Sequence, residues 1–141
     1  MGIFRDGISI EKLRDIGRNT MVEHLGIELT SLTTNTLTGT MPVNERTRQP
    51  YGLLHGGASV ALAETLGSIA SSCCIDNTKQ LCVGLEINAN HVKAVREGIV
   101  TGTASPLHIG RRIHVWEIRI ENEQKELVCI SRLTVSILDK Q

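Results

Sequence analysis

The chain is predicted to adopt an α+β fold in which an antiparallel sheet packs against one long helix. Small and apolar residues recur at helical spacing from about His55 to Ile75, and four later segments between Leu81 and Leu138 alternate in the manner of strands. Turn-forming stretches rich in Gly, Asn or Glu separate those segments. The expected order is helix, two strands, long helix and about four strands, the layout of an antiparallel sheet with its helix on one side. Residues 1–141 fit one domain, long enough to bury a core without a disulfide or metal staple.

Each element has its own signal. Ser9 precedes Lys12 by three positions, and Ile10, Leu13, Ile16 and Met21 follow at helix-like intervals, so one amphipathic helix is expected within the N-terminal segment 1–23, over residues 9–23. The Thr-rich run LGIELTSLTTNTLTGTMPV reads as a strand, a turn near Thr34-Asn35 and a second strand. In the polar connector NERTRQPYG, Pro50 and Gly52 interrupt regular structure. The long helix follows, with Val60, Ala63, Leu66 or Gly67, Ala70 and Cys74 in register and small residues between them, so that a sheet can approach closely. Beyond DNTKQ, strands are expected in LCVGLEINANHVKAV, GIVTGTASPLHIG, RRIHVWEIRIENE and KELVCISRLTVSIL; in the third, Ile113, Val115, Ile118 and Ile120 alternate imperfectly. A sheet of this size with one long helix leaves a face uncovered, so pairing with another copy is expected.

Composition excludes several functions. Lys plus Arg and Asp plus Glu number 15 each, leaving no basic excess to attract a nucleic acid. Phe4, Tyr51 and Trp116 are the only aromatic residues, too few for a base-stacking platform. The start MGIFRDGISIEKLRD lacks the apolar core and cleavage site of a secretory signal, which makes cytoplasmic residence the expectation. Leu53 to Ile75 is apolar but holds His55, Glu64 and four serines. An ionisable group near the centre of a membrane span costs about 2.5 kcal/mol or more, so a buried helix is expected and not a span. Cys73, Cys74, Cys82 and Cys129 read as reduced packing residues. His55, His91, His108 and His114 match no metal-ligand spacing and no C-x-x-C occurs, so no metal is expected.

Glu64 is the first candidate for chemistry. A carboxylate on a helix packed against a sheet loses solvation and becomes a candidate general base or nucleophile; the competing reading has it merely reach the surface at one edge of the helix. Gly57, Val60, Ala61, Gly67, Ser68 and Ser71 fall on its helical face. These small neighbours leave room for a ligand, and Ser68, one turn on, is within hydrogen-bonding reach. His55-Gly56-Gly57 opens the helix, where unpaired backbone N–H groups can stabilise negative charge on a carbonyl oxygen. Gln49 offers an amide from the connector. GASVA around Ser59 faintly matches a nucleophile elbow but lacks the strand that should lead into it. His91 with Lys93, and His108 with Arg111 and Arg112, form two basic clusters at strand ends, either solvated edges or docking points for the phosphates of a small ligand.

The runs RTRQPYGLLHGGASVALAETLGS, VGLEINANH and PLHIGRR resemble the hotdog-fold acyl-CoA thioesterases, in particular their menaquinone- and enterobactin-pathway branch, over about residues 20–138. That resemblance implies a long central helix wrapped by an antiparallel sheet, and a homo-oligomer that is a dimer of dimers with active sites at the dimer interface. Carried over position by position, Glu64 is nucleophile or general base and the Gly56 N–H polarises the thioester carbonyl. Gln49 and His55 orient substrate and water from the subunit opposite Glu64, and Ser68 is a polar neighbour of the carboxylate. The coenzyme A arm follows Gly84, then His91, Val92, Lys93 and Ala94, and then His108, Ile109, Gly110, Arg111, Arg112 and Ile113. No metal or redox cofactor is implied. HVKAV departs from the family pattern, because Lys93 is a point charge and not a bidentate fork. The implied activity is hydrolysis of an aromatic (hydroxynaphthoyl- or benzoyl-type) or medium-chain acyl-CoA, or of the carrier-protein thioester. The rivals are a hotdog 3-hydroxyacyl thioester dehydratase and a non-catalytic acyl-CoA binding module. The first would also use a His and a carboxylate, though Glu within the helix argues for hydrolysis. The second usually needs an output domain, and the residues before His24 are too few to supply a DNA-binding unit.

Overall fold

A computed structural model describes residues 2–141. The elements run α1 (Ile10–Leu13), α2 (Met21–His24), β1 (Glu28–Leu32), β2 (Leu37–Pro42), α3 (Gly56–Cys74), β3 (Gln80–His91), β4 (Ile99–Ile109), β5 (Ile113–Glu121) and β6 (Leu127–Asp139). All strand pairings are antiparallel, in one six-stranded sheet of order β1-β2-β4-β5-β6-β3. The core lies between that sheet and α3, whose Ala58, Leu62, Ala63, Leu66, Ile69, Ala70 and Cys73 are buried.

The helix seats deeply because the sheet makes room for it. Gly39 on β2 pairs with Gly102 on β4, and a Cβ at either would come within 3.0 and 2.8 Å of the Leu66 side chain. Two glycines side by side thus form a notch that Leu66, fully buried, fills.

β5 explains the imperfect alternation of its sequence. Its buried residues are His114, Trp116, Ile118 and Ile120, while Ile113 and Val115 are only half-buried. The inward His and Trp are satisfied by one hydroxyl: Trp116 Nε1–H donates to Ser71 Oγ at 2.7 Å, and Ser71 Oγ lies 3.0 Å from His114 Nδ1. With one lone pair taken by Trp116, the Ser71 hydroxyl still has a proton to give and a second lone pair, so it can pair with His114 Nδ1 in either tautomer. Burial is the main cause that pushes the His114 pKa below the ordinary histidine value, and His108 adds to it.

The single N-terminal helix expected over 9–23 is instead two one-turn helices. Asn19 adopts φ +61°, a left-handed conformation that ends regular helix, and Thr20 caps a fresh start by accepting from Val22 N–H. Leu13 is buried, but Ile16 and Met21 are 52% and 63% exposed, so the helical stripe that the spacing suggested does not form. All four cysteines are free; Cys73 and Cys129 are buried in the core, Cys74 and Cys82 partly so. Burial pushes the Cys73 thiol up to about 11 and Cys74 to about 12. No helix of the described residues is long and apolar enough to cross a membrane.

Candidate active site

The connector between β2 and α3 is held by Thr47, which is buried. Its hydroxyl donates to the Pro42 carbonyl at 2.8 Å and accepts from Asn44 N–H at 3.0 Å. The Thr47 carbonyl in turn accepts from His55 N–H at 2.8 Å, fixing where α3 begins. Sequence reasoning passes over Thr47; the signal is the N-x-x-T spacing of a turn closed by its own side chains.

His55 caps the helix in an informative way. Gly57 N–H donates to His55 Nδ1 at 2.7 Å, while Ala58 and Ser59 N–H donate to the His55 carbonyl at 3.0 and 3.2 Å. Of the first four helical N–H groups, three are thus taken by one residue, and among the described residues nothing accepts from the fourth, Gly56 N–H. Because Nδ1 accepts, the proton of His55 sits on Nε2 and faces outward as a donor. Gln49 is similarly committed: its side-chain oxygen accepts from Tyr51 N–H, which leaves its NH₂ as the free end.

Gln49 and Gly56 line a cavity of about 390 Å³ together with His91, Val92, Lys93 and Ala94 from the end of β3. The His91 ring covers Gly56, where a Cβ would lie 2.9 Å from Nε2. Lys93 also reaches Glu126 at 3.1 Å. The basic cluster nearest the helix start is therefore built into the same cavity as the free Gly56 N–H.

Glu64 lines a different cavity, of about 370 Å³, with Gly57, Val60, Ala61 and Thr65 of α3 and Met21, Val22, Leu25 and Ile27 of the N-terminal segment. Glu64 is exposed, so the burial expected for it is absent within one protomer. The three ion pairs among the described residues are Arg18–Asp15, Lys93–Glu126 and Arg112–Asp139, leaving Glu64 unpaired. Its Oε2 points at Gly84 on β3, where a Cβ would sit 3.0 Å away. Ser68, one turn on, is half-buried and no hydrogen bond joins it to Glu64 among the described residues; its carbonyl accepts from Cys82 Sγ at 3.6 Å. Two of the six residues expected to share the face of Glu64 turn inward: Gly67 packs on Leu133, and Ser71 serves His114 and Trp116.

Within one protomer these parts stay apart. Glu64 lies eight positions beyond Gly56 on α3, about 12 Å at 1.5 Å per residue, too far for both to act on one carbonyl. The second basic cluster is remote as well. His108 and Ile109 end β4, Gly110, Arg111 and Arg112 make the turn, and Ile113 opens β5 beside Ser136. This turn flanks the Gln80–Gly84 end of the sheet, while His91 lies at the other end beside Cys129. Arg112 pairs with Asp139 at 3.1 Å. Among the described residues no three His, Cys, Asp or Glu side chains are grouped to hold a metal.

One antiparallel six-stranded sheet packed on a single long helix is the architecture of the hotdog-fold thioesterases. Residues 51–129 match the thioesterase superfamily, and the chain belongs to that family. It is 51% identical over 136 residues to the 1,4-dihydroxy-2-naphthoyl-CoA hydrolase of Escherichia coli, covering 96% of this chain and 99% of that protein. To the proofreading thioesterase EntH of Cronobacter turicensis it is 48% identical over 136 residues, covering 96% and 98%. A crystal structure of a mutant thioesterase from Pseudomonas aeruginosa superimposes with a TM-score of 0.96 at 44% identity, covering 99% of this chain and 100% of that one.

Proposed function

We propose that the protein hydrolyses an acyl-CoA of aromatic (hydroxynaphthoyl- or benzoyl-type) or medium-chain acyl group in a site shared by two copies, with Glu64 of one copy facing Gly56, Gln49 and His55 of the other. The observation that carries this is the division of labour along α3: Glu64 and the free Gly56 N–H, about 12 Å apart along the helix, line separate cavities although they suit one chemistry. β3 supplies the means of joining them. It is the long edge of the sheet, twelve residues against five for β1 at the other edge, with Leu81, Val83 and Leu85 37%, 40% and 60% exposed. An exposed apolar edge of that length seeks a partner strand. Antiparallel pairing of β3 with its copy sets the Gly84 end of one strand, and Glu64 with it, beside the His91 end of the other. Gly84 and His91 lie about 23 Å apart in one chain at 3.3 Å per residue, a distance that such pairing removes. Two such dimers then associate into a tetramer.

In that site the Gly56 N–H donates to the thioester oxygen as negative charge develops on it, with the Gln49 NH₂ and His55 Nε2–H as flanking donors. Glu64 either attacks the carbonyl carbon, expelling the CoA thiolate and leaving an anhydride that water opens, or takes a proton from the water that attacks. Lys93 and His91 of one copy and the His108–Ile113 turn of the other meet the phosphates of the coenzyme A arm. The relatives named for dihydroxynaphthoyl-CoA hydrolysis and for proofreading support an aromatic acyl group and a place in menaquinone biosynthesis or in clearing carrier-protein thioesters, carried out in the cytoplasm. Thiol release from benzoyl-CoA tests the reading: Glu64→Ala and Glu64→Gln should fold normally and lose at least about 10²-fold in kcat. Retention of activity within a few fold would remove Glu64 from the chemistry.

A further inference from the structure

The cavity that holds Glu64 has a neighbour. Beneath the N-terminal segment a second cavity, of about 570 Å³, is lined by Leu13, Gly17, Val22, Ile27, Leu29 and Ile69 with charged residues at its rim. Val22 and Ile27 line both cavities and are the wall between them. The two lie in line along one side of α3: Gly57, Ala61 and Thr65 follow one another at four-residue steps in the first, and Ile69, one turn past Thr65, opens into the second. The wall is held in place. The Thr20 cap fixes the Val22 backbone, and Val22 packs so tightly on Gly17 that a Cβ there would meet Val22 Cγ1 at 2.7 Å.

Resting on the assignment of Glu64 above, we infer that residues 9–27 form the end-stop of the acyl pocket, with Val22 setting the longest saturated acyl chain accepted. A carbonyl held at Glu64 directs its acyl chain along Thr65 toward Val22. Chains that end before the wall fit the first cavity, whereas longer ones require the wall to open into the second. The N-terminal segment thus both covers the pocket and limits its length.

The experiment compares kcat/KM for butyryl-, octanoyl- and palmitoyl-CoA, read as thiol release, in the parent protein, Val22→Ala and Val22→Phe, with thermal unfolding to verify folding. Removing the valine methyls joins the cavities, and the palmitoyl-to-butyryl ratio should rise about tenfold or more, the scale on which one methylene in an apolar pocket discriminates. Val22→Phe should lower the octanoyl-to-butyryl ratio by a similar factor. Ratios within twofold of the parent in both variants, or equal changes for all three chains, would overturn the inference while leaving a thiol-releasing parent and the Glu64 reading intact. A parent that releases no thiol from any acyl-CoA defeats that reading, and the inference falls with it.

Discussion

Replacing Gly84 by valine displaces the proposed nucleophile or base, Glu64, without substituting it. A Cβ at Gly84 lies 3.0 Å from Glu64 Oε2 and 3.6 Å from its carboxyl carbon, where ordinary contacts begin at 3.4 Å. Alanine therefore asks the carboxylate to yield by a few tenths of an ångström, which a flexible Glu side chain can give. Valine adds a γ-methyl beyond that point and requires a displacement of about 1 Å. A misplacement of that size costs on the order of 10²-fold in rate, about 2.7 kcal/mol of transition-state stabilisation. Steady-state thiol release should show kcat down about 10²-fold for Gly84→Val and only a few fold for Gly84→Ala. The fold should not suffer, since Gly84 is exposed on a strand and takes no positive φ, and valine suits a strand better than glycine. Size-exclusion chromatography verifies that the oligomer persists. A Gly84→Val protein of parental kcat would show that Glu64 does not work from the position next to β3.

Further tests address the fold that holds the site. Leu66→Ala empties the notch formed by Gly39 and Gly102, and should cost about 2–5 kcal/mol in urea unfolding; a loss below about 1 kcal/mol would mean that the helix is not seated there. In the folded state the His114 pKa is lowered, chiefly by burial. In the unfolded chain it takes up a proton as pH falls through the ordinary histidine value, whereas the folded chain takes it up only at lower pH, so stability must decrease as pH falls below about 6.5. Urea midpoints at pH 7.5 and 5.5 should differ more for the parent than for His114→Gln; equal differences would contradict the lowered pKa of the buried imidazole.

The long helix and the later strands are legible in the sequence because their signals are local: helical spacing of small residues in 56–74 and alternation in the strands. The N-terminal segment misleads for a local reason too, since Ile10, Leu13, Ile16 and Met21 mimic a helical stripe while the left-handed turn at Asn19 interrupts it. In β5, counting only aliphatic residues hides the inward-facing His114 and Trp116, whose burial depends on a hydroxyl 43 or 45 positions away. The residue types of the candidate site are visible in HGG and in Glu64. Their separation into two cavities is not, because it follows from how far apart one helix holds them and from which strand is left at the edge of the sheet. For the same reason Gly84, which the family resemblance places only along the coenzyme A arm, shows its contact with the Glu64 carboxylate only in the fold.

Complementation between two inactive variants tests the shared site most directly. Glu64→Ala and Gln49→Ala proteins, each purified and then unfolded and refolded together in equal amounts, form hybrids in half of the dimers. Each hybrid carries one site with both parental residues if Glu64 and Gln49 come from different copies. Thiol release from benzoyl-CoA should then recover to about a quarter of the parental rate, the share of intact sites in a randomly paired C2 dimer. If the co-refolded mixture is no more active than the two variants refolded separately, Glu64 and Gln49 act from the same chain and the two-copy site is wrong.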